Sequence, residues 1–471
     1  MDLRRLGRLW GALATLWVGL LAESGVGVAQ SCLCGTAADE LVAERAGLLR
    51  EWIVQLPFDS GGWQLEHVTV GDGLVVAVSG DGGVHAVSTA VSPVPGGPGP
   101  GVLAWSQRIG KPGGPVFPAG IGPDVVAVAR DIDLYALERT NGQTRWQNPL
   151  GRLPGSAPAV LGAWVYAPLM NDGVLRTPAN PLRPESAVAA AAAAKDAKQK
   201  PAAKGRGKKT PERRLPVEKL VPRNIDAGGS VDRPPQAVGD AVAWVTRSGV
   251  LVVLAPNENG WDRLEFQLDA GPVGAMTVRD ESLFVATRGG GLVRVALDRA
   301  PARLRAEWFA LLDAVPDSGP LVGGDTLVVS LGEQGLVAHA AADGRLLWRA
   351  DAVGTPLAIV GDRVWMLDRL GRLSTLDLAT GVRRDRLCLG CFTLPVVNPT
   401  SQRLLLASPG GLLVSLASVV PPTPVAKQPA AGEQPAAPAA ESDDTPAGDE
   451  KPAGDDPPAA DAAAGEPAET N

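Results

Sequence analysis

The sequence predicts an all-β chain built as an eight-bladed propeller, and three observations carry that expectation. Ala341 to Gly381 (AADGRLLWRADAVGTPLAIVGDRVWMLDRLGRLSTLDLATG) nearly repeats itself: an Asp-Gly or Thr-Gly turn, a tryptophan strand, a small-residue crossover, a Gly-Asp turn and two apolar strands. The same phrase recurs along most of the chain, with Trp105 and Trp146 separated by 41 residues and Trp308 and Trp348 by 40. A period in that range with several strands per unit is the signature of a propeller. Composition agrees: aromatics are only 4% of the chain, yet there are 12 Trp against 6 Phe and 2 Tyr, as a repeat with one structural Trp per unit requires.

The N-terminus has a basic start (Arg4, Arg5, Arg8), an apolar run from Leu9 to Ala22 and a small-residue site at Gly27-Val28-Ala29. This reads as a signal peptide over residues 1–29, because the apolar run is shorter than the ~20 residues that span a bilayer. The alternative is a lipoprotein signal with Cys32 lipidated, and Glu23 and the long gap to Cys32 count against it. Residues 30–50 follow, in which Leu41, Leu48 and Leu49 fall near one helical face. Thr36 to Arg50 is therefore expected to be a short helix.

The propeller is expected over 51–418. Its inner hairpins read at Gly71–Ser88, Pro123–Trp146, Ala163–Thr177, Gly239–Pro256, Glu281–Asp298, Gly324–Trp348, Gly361–Gly381 and Gln402–Ser418. Between the third and fourth the spacing roughly doubles, and removing residues 177–223 restores it. That segment is expected to be a disordered loop between the third and outermost strands of blade three. From Arg176 to Arg223 it carries 13 Lys and Arg against 4 Asp and Glu, whereas Pro421 to Asn471 carries 11 acids against 2 Lys. The loop and the tail (residues 419–471) lack the apolar content to offset the entropy of ordering. The net charge of −7 thus hides two oppositely charged arms.

Unit eight lacks an outermost strand, while EWIVQLP has nothing before it. Glu51, Trp52, Ile53, Val54 and Gln55 are therefore expected to complete blade eight and close the ring, which removes exposed edges. The three histidines, His67, His85 and His339, have no His partner at ligand spacing, and Asp81, Asp131, Asp172 and Asp368 sit at hairpin turns, where Asp is common for backbone reasons. No catalytic residue, metal site or cofactor site is expected. Cys32, Cys34, Cys388 and Cys391 make an even set in an exported chain, so disulfides are the default, with three connectivities open. A four-thiolate zinc site and a redox-active CxxC are the alternatives. Phe392 stands where a c-type haem attachment needs His.

At Ala136 to Trp146, Ala338 to Trp348 and Leu376 to Gly381 the sequence resembles the pyrroloquinoline-quinone (PQQ) propeller repeat, roughly A-x-D-x-x-T-G-x-x-x-W. The resemblance implies that Trp105, Trp146, Trp308 and Trp348 dock adjacent blades; in unit seven Asp385 replaces Trp, which leaves docking there open. Two branches use this repeat: quinoprotein dehydrogenases with PQQ and Ca²⁺ at the axis, and non-enzymatic scaffolds such as BamB of the outer-membrane β-barrel assembly machinery. The chain has no adjacent Cys pair and little room for the insertions that build a dehydrogenase site. The expected function is accordingly a non-catalytic, monomeric, exported scaffold at the bacterial cell envelope, in the periplasm or at the outer-membrane periphery, binding protein partners, with outer-membrane protein assembly as the candidate role. The contrasting reading is a quinoprotein-type oxidoreductase or small-ligand binder using the central funnel. The basic loop suits contact with an anionic membrane surface. With no interleaved aromatics it does not suit nucleic acid.

Overall fold

A computed structural model describes residues 47–90, 97–170, 173–180, 222–257, 260–399 and 401–418. They form eight antiparallel sheets, seven of four strands and one of three. Blade one comprises Leu65–Gly71, Leu74–Ser79, Gly83–Ser88 and Leu103–Arg108 from the inside outward. Blades two to seven follow in chain order, over 120–149, 159–226, 236–267, 277–311, 321–350 and 355–388. Blade eight holds Arg403–Ala407 and Leu412–Ser418, and its outermost strand comes from the other end of the chain, Leu48–Gln55. The pairing runs from Leu48↔Ser418 to Gln55↔Leu412, with one irregularity between Arg50 and Trp52. At the innermost position of blade eight there is a single bridge, Leu394↔Ala407.

The middle strands are hydrophobic without strict alternation because both faces are covered. Leu74–Ser79, Val125–Arg130 and Trp164–Pro168 are buried at every position. The core is accordingly divided among the seams. Eight apolar clusters each bridge two neighbouring blades, for example Val76, Val84, Trp105 and Val128 between blades one and two, and Leu48, Trp365, Phe392 and Leu416 between seven and eight.

The hairpin turns explain the acids and hydroxyls seen in the sequence. Between the two middle strands of a blade, a side-chain oxygen accepts the backbone N–H four residues on: Thr246 from Val250, Thr287 from Gly291, Asp368 from Arg372 and Ser408 from Leu412. Asp131 adopts φ 50° in such a turn, a conformation that Asp tolerates better than most residues. These turns and the crossovers between blades lie at one end of the strands. The other two turns of each blade lie at the opposite end.

One expectation is corrected. Leu48, Leu49 and Arg50, read as the end of a helix, belong to the ring-closing strand. Two adjacent leucines fit a helical face, but here the burial alternates, with Leu48 at 1% and Leu49 at 49% exposed, and the ladder to blade eight satisfies the backbone. The rest of that segment, the expected signal peptide, Cys32, Cys34, Asp172, most of the basic loop and the acidic tail lie outside the described residues. Thr177 and Pro178 belong to the third strand of blade three and Arg223 to its outermost strand.

Candidate interaction surfaces

The tryptophans define how blades meet. Trp105, Trp146 and Trp348 each stand third in their outermost strand and Trp308 seventh in its longer one, opposite Ala86, Ala136, Ala338 and Arg294. Each indole N–H donates to a backbone carbonyl of the next blade: Trp105 to Arg139 at 2.7 Å, Trp146 to Ala179 at 3.1 Å, Trp308 to Ala341 at 3.1 Å and Trp348 to Leu378 at 2.8 Å. The same rings cover glycines of the next blade. Gly142, Gly344 and Gly381 lie under Trp105, Trp308 and Trp348, at φ near +70°, where a side-chain carbon would overlap the ring. Gly381→Ala is therefore expected to destabilise the protein by about 1–3 kcal/mol. A lower urea midpoint with an unchanged slope would be the readout.

Register adds a tryptophan that sequence spacing missed. Trp52 lies opposite Ser415 at the same position of blade eight, and its ring covers Gly101 of blade one. A five-residue step from Gly47 and the irregularity beside Trp52 hide it from a four-residue Gly-to-Trp pattern. At the three remaining seams the position holds Arg223, Leu264 and Asp385. Asp385 is held by Arg363 at 3.2 Å, and its N–H donates to Thr375 Oγ1 at 3.0 Å.

In blade one the Ser79 hydroxyl donates to Asp81 at 2.5 Å, Asp81 also accepts from Gly83 N–H and Arg108, and His85 Nδ1 pairs with Ser106 Oγ at 2.9 Å. The trio Ser79, Asp81 and His85 is no nucleophile arrangement, because the carboxylate engages the serine and not the imidazole. Burial opposes ionisation of Asp81, but Ser79, Gly83 and Arg108 together hold its carboxyl below the usual range. Burial pushes the His85 imidazole down, against the pull of Asp81. His67 Nε2 pairs with the Val116 carbonyl and His339 Nδ1 with that of Gly344. Among the described residues no three His, Cys, Asp or Glu side chains are grouped to hold a metal ion. The innermost strands are largely small and apolar, with Val68, Val70, Ile121, Val278 and Val322 among them.

Asp377, at a turn of blade seven, has its pKa lowered to about 2 by Arg384 and by the hydroxyl and N–H of Thr380. Because the folded value lies below the ordinary 3.8, the stabilisation is present above that pH and is lost as pH falls toward 2. Between pH 4 and 2 the wild type is expected to lose thermal stability more steeply than Asp377→Asn.

Cys388 ends the outermost strand of blade seven, and Cys391 packs, half-buried, against the seven–eight cluster. Among the described residues no helix is long and apolar enough to cross a membrane.

One exposed apolar patch stands out at the end that carries the crossovers. Ile132 (47% exposed) is in the middle turn of blade two, Leu153 (45%) in the crossover to blade three and Met170 (60%) in the middle turn of blade three. Backbone bonds tie both turns to the crossover: Leu150 N–H donates to the Ile132 carbonyl at 2.7 Å and Met170 N–H to that of Leu153 at 3.2 Å. The sequence gives no warning of it, because turns and crossovers fall outside the repeating phrase.

Residues 298–384 match the family described as outer membrane protein assembly factor BamB. Among solved structures, BamB from Moraxella catarrhalis superposes with a TM-score of 0.57 at 15% identity, over 79% of this chain and 97% of that one. The designed protein Ika8 gives 0.52 at 10% identity over 78% and 98%, and Sqt1 from Saccharomyces cerevisiae gives the same score, identity and coverage. No curated protein matches the sequence. With 1431 solved chains sharing the fold, structural likeness establishes architecture and leaves the activity to other arguments. The chain is an eight-bladed β-propeller with PQQ-like repeats, and it resembles BamB.

Proposed function

We propose that this protein is a non-catalytic scaffold of the bacterial cell envelope, exported and monomeric, which holds protein partners on its crossover face in a role akin to outer-membrane protein assembly. The observation that carries the reading is the Ile132, Leu153 and Met170 patch. Three half-exposed apolar side chains on adjoining turns suit a protein contact, and a methionine adapts its shape to a partner. The match of residues 298–384 to the BamB family supports the setting. An even set of four cysteines fits an oxidising compartment, and the basic segment within blade three supplies contact with anionic lipid. Thiol titration of the purified protein is expected to release cysteines only after reduction.

The test is quantitative affinity capture from envelope extracts with the wild type and an Ile132→Arg, Met170→Glu variant. A stoichiometric partner that the variant loses supports the proposal. Identical capture by both overturns it, as does dye-linked alcohol oxidation on adding PQQ and Ca²⁺.

A further inference from the structure

The seam between blades three and four departs from the others. At the position where Trp105, Trp146, Trp308, Trp348 and Trp52 wedge their seams, blade three carries Arg223, and the residue opposite it is Arg176 where blades one, two and six have alanine. The receiving glycine is still there: Gly260 of blade four stands four residues before the wedge position of its own strand, as Gly142 and Gly344 do in theirs. Among the described residues no atom lies within 4 Å of where a side-chain carbon on Gly260 would be, whereas Gly142 and Gly344 are covered by indole rings. Its backbone differs, with φ 146° where Gly142 and Gly344 have 73°, and among the described residues no ring covers it.

In its place is a cleft of 790 Å³ whose walls include Trp164, Tyr166, Arg176, Arg223 and Trp261. It opens toward the turns at Gly162 and Gly239, at the end of the strands opposite the apolar patch. The Arg176 guanidinium lies 3.6 Å from the Trp164 ring centre and 4.7 Å from that of Trp261. Its Nε has no acceptor among the described residues, and burial lowers its pKa. The one carboxylate on the wall, Asp240, is engaged by Arg299 at 2.7 Å. Among the described residues, then, two guanidinium groups face the cleft without a carboxylate of their own, beside a space of the size and lining that receives a planar ring.

We propose that this cleft is a binding site for an extended segment of a partner protein that inserts an aromatic side chain flanked by Asp or Glu. The ring occupies the vacant wedge slot over Gly260 and against Trp261, and the flanking carboxylates engage Arg176 and Arg223. The site is independent of the apolar patch and lies at the other end of the blades.

A fluorine-labelled Glu-Trp-Glu peptide, capped at both ends, is titrated onto the full chain and followed by fluorine NMR, beside Lys-Trp-Lys and Glu-Ala-Glu. Glu-Trp-Glu is expected to bind at least about tenfold more tightly than either comparator. Arg176→Ala with Arg223→Trp restores the pair used at other seams, and is expected to abolish binding while raising the melting temperature. If that variant fails to fold, Arg176→Gln with Arg223→Gln is expected to weaken binding about tenfold on an intact fold. Equal binding of the three peptides overturns the proposal, and so does binding retained in the folded variants. An indole carboxylate that binds more tightly than Glu-Trp-Glu overturns the assignment to a protein segment in favour of a small ligand.

Discussion

Removing the chain through Gln55 is expected to leave a protein that aggregates or does not reach a cooperative fold. The truncation takes away Leu48 and Trp52, buried at 1% and 6% exposure, and bares the Leu412–Ser418 strand along its whole length. Burial of a large apolar side chain is worth about 1.5–3 kcal/mol, so two of them are a large share of a typical stability of ~5–15 kcal/mol. The bared strand is also apolar, with Leu413, Val414 and Leu416 buried in the intact ring, and such an edge templates association. Size-exclusion chromatography with light scattering and a denaturant titration would register the change. A monomeric truncated chain with an unaltered transition would show that the ring does not depend on its closing strand.

The second large effect is expected from Trp348→Ala. The ring is 7% exposed, covers Gly381 and donates to the Leu378 carbonyl, so truncation leaves a cavity at the six–seven seam and an unpaired acceptor. A loss of about 3–5 kcal/mol is expected. Leu264→Ala, at the equivalent position of a seam without an indole, is expected to cost about 2–5 kcal/mol if its seam is packed as tightly, and less if neighbouring side chains relax into the space. Urea midpoints of the two variants measured side by side would separate the contribution of the wedge from that of general burial.

The architecture was legible in the sequence because the repeat states the turn and the wedge together. Gly344 to Trp348 and Gly142 to Trp146 have the same four-residue step, and that step is the distance from the turn to the docking position. Where the step is altered, reading along the chain fails. Trp52 is displaced by an irregular pairing, so it could be assigned to a strand but not to a seam. Arg223 could not be recognised as a wedge position because a long basic segment separates it from its own blade. The two leucines at 48 and 49 suggested a helix because local pattern outweighed a partner strand more than 360 residues away in sequence. The candidate interaction patch was hidden for another reason: Ile132, Leu153 and Met170 belong to turns and crossovers, whose composition no repeat constrains.

The ring-closing ladder has a mechanical consequence. Leu48 lies opposite Ser418, so the two ends of the propeller chain leave the ladder at the same point. Tension applied between them would peel the hydrogen bonds open one pair at a time, starting at Leu48↔Ser418, and would not load the whole ladder in shear. Under such a load blade eight gives way before any other, and the ring opens inside that blade, between the two strands that come from opposite ends of the propeller.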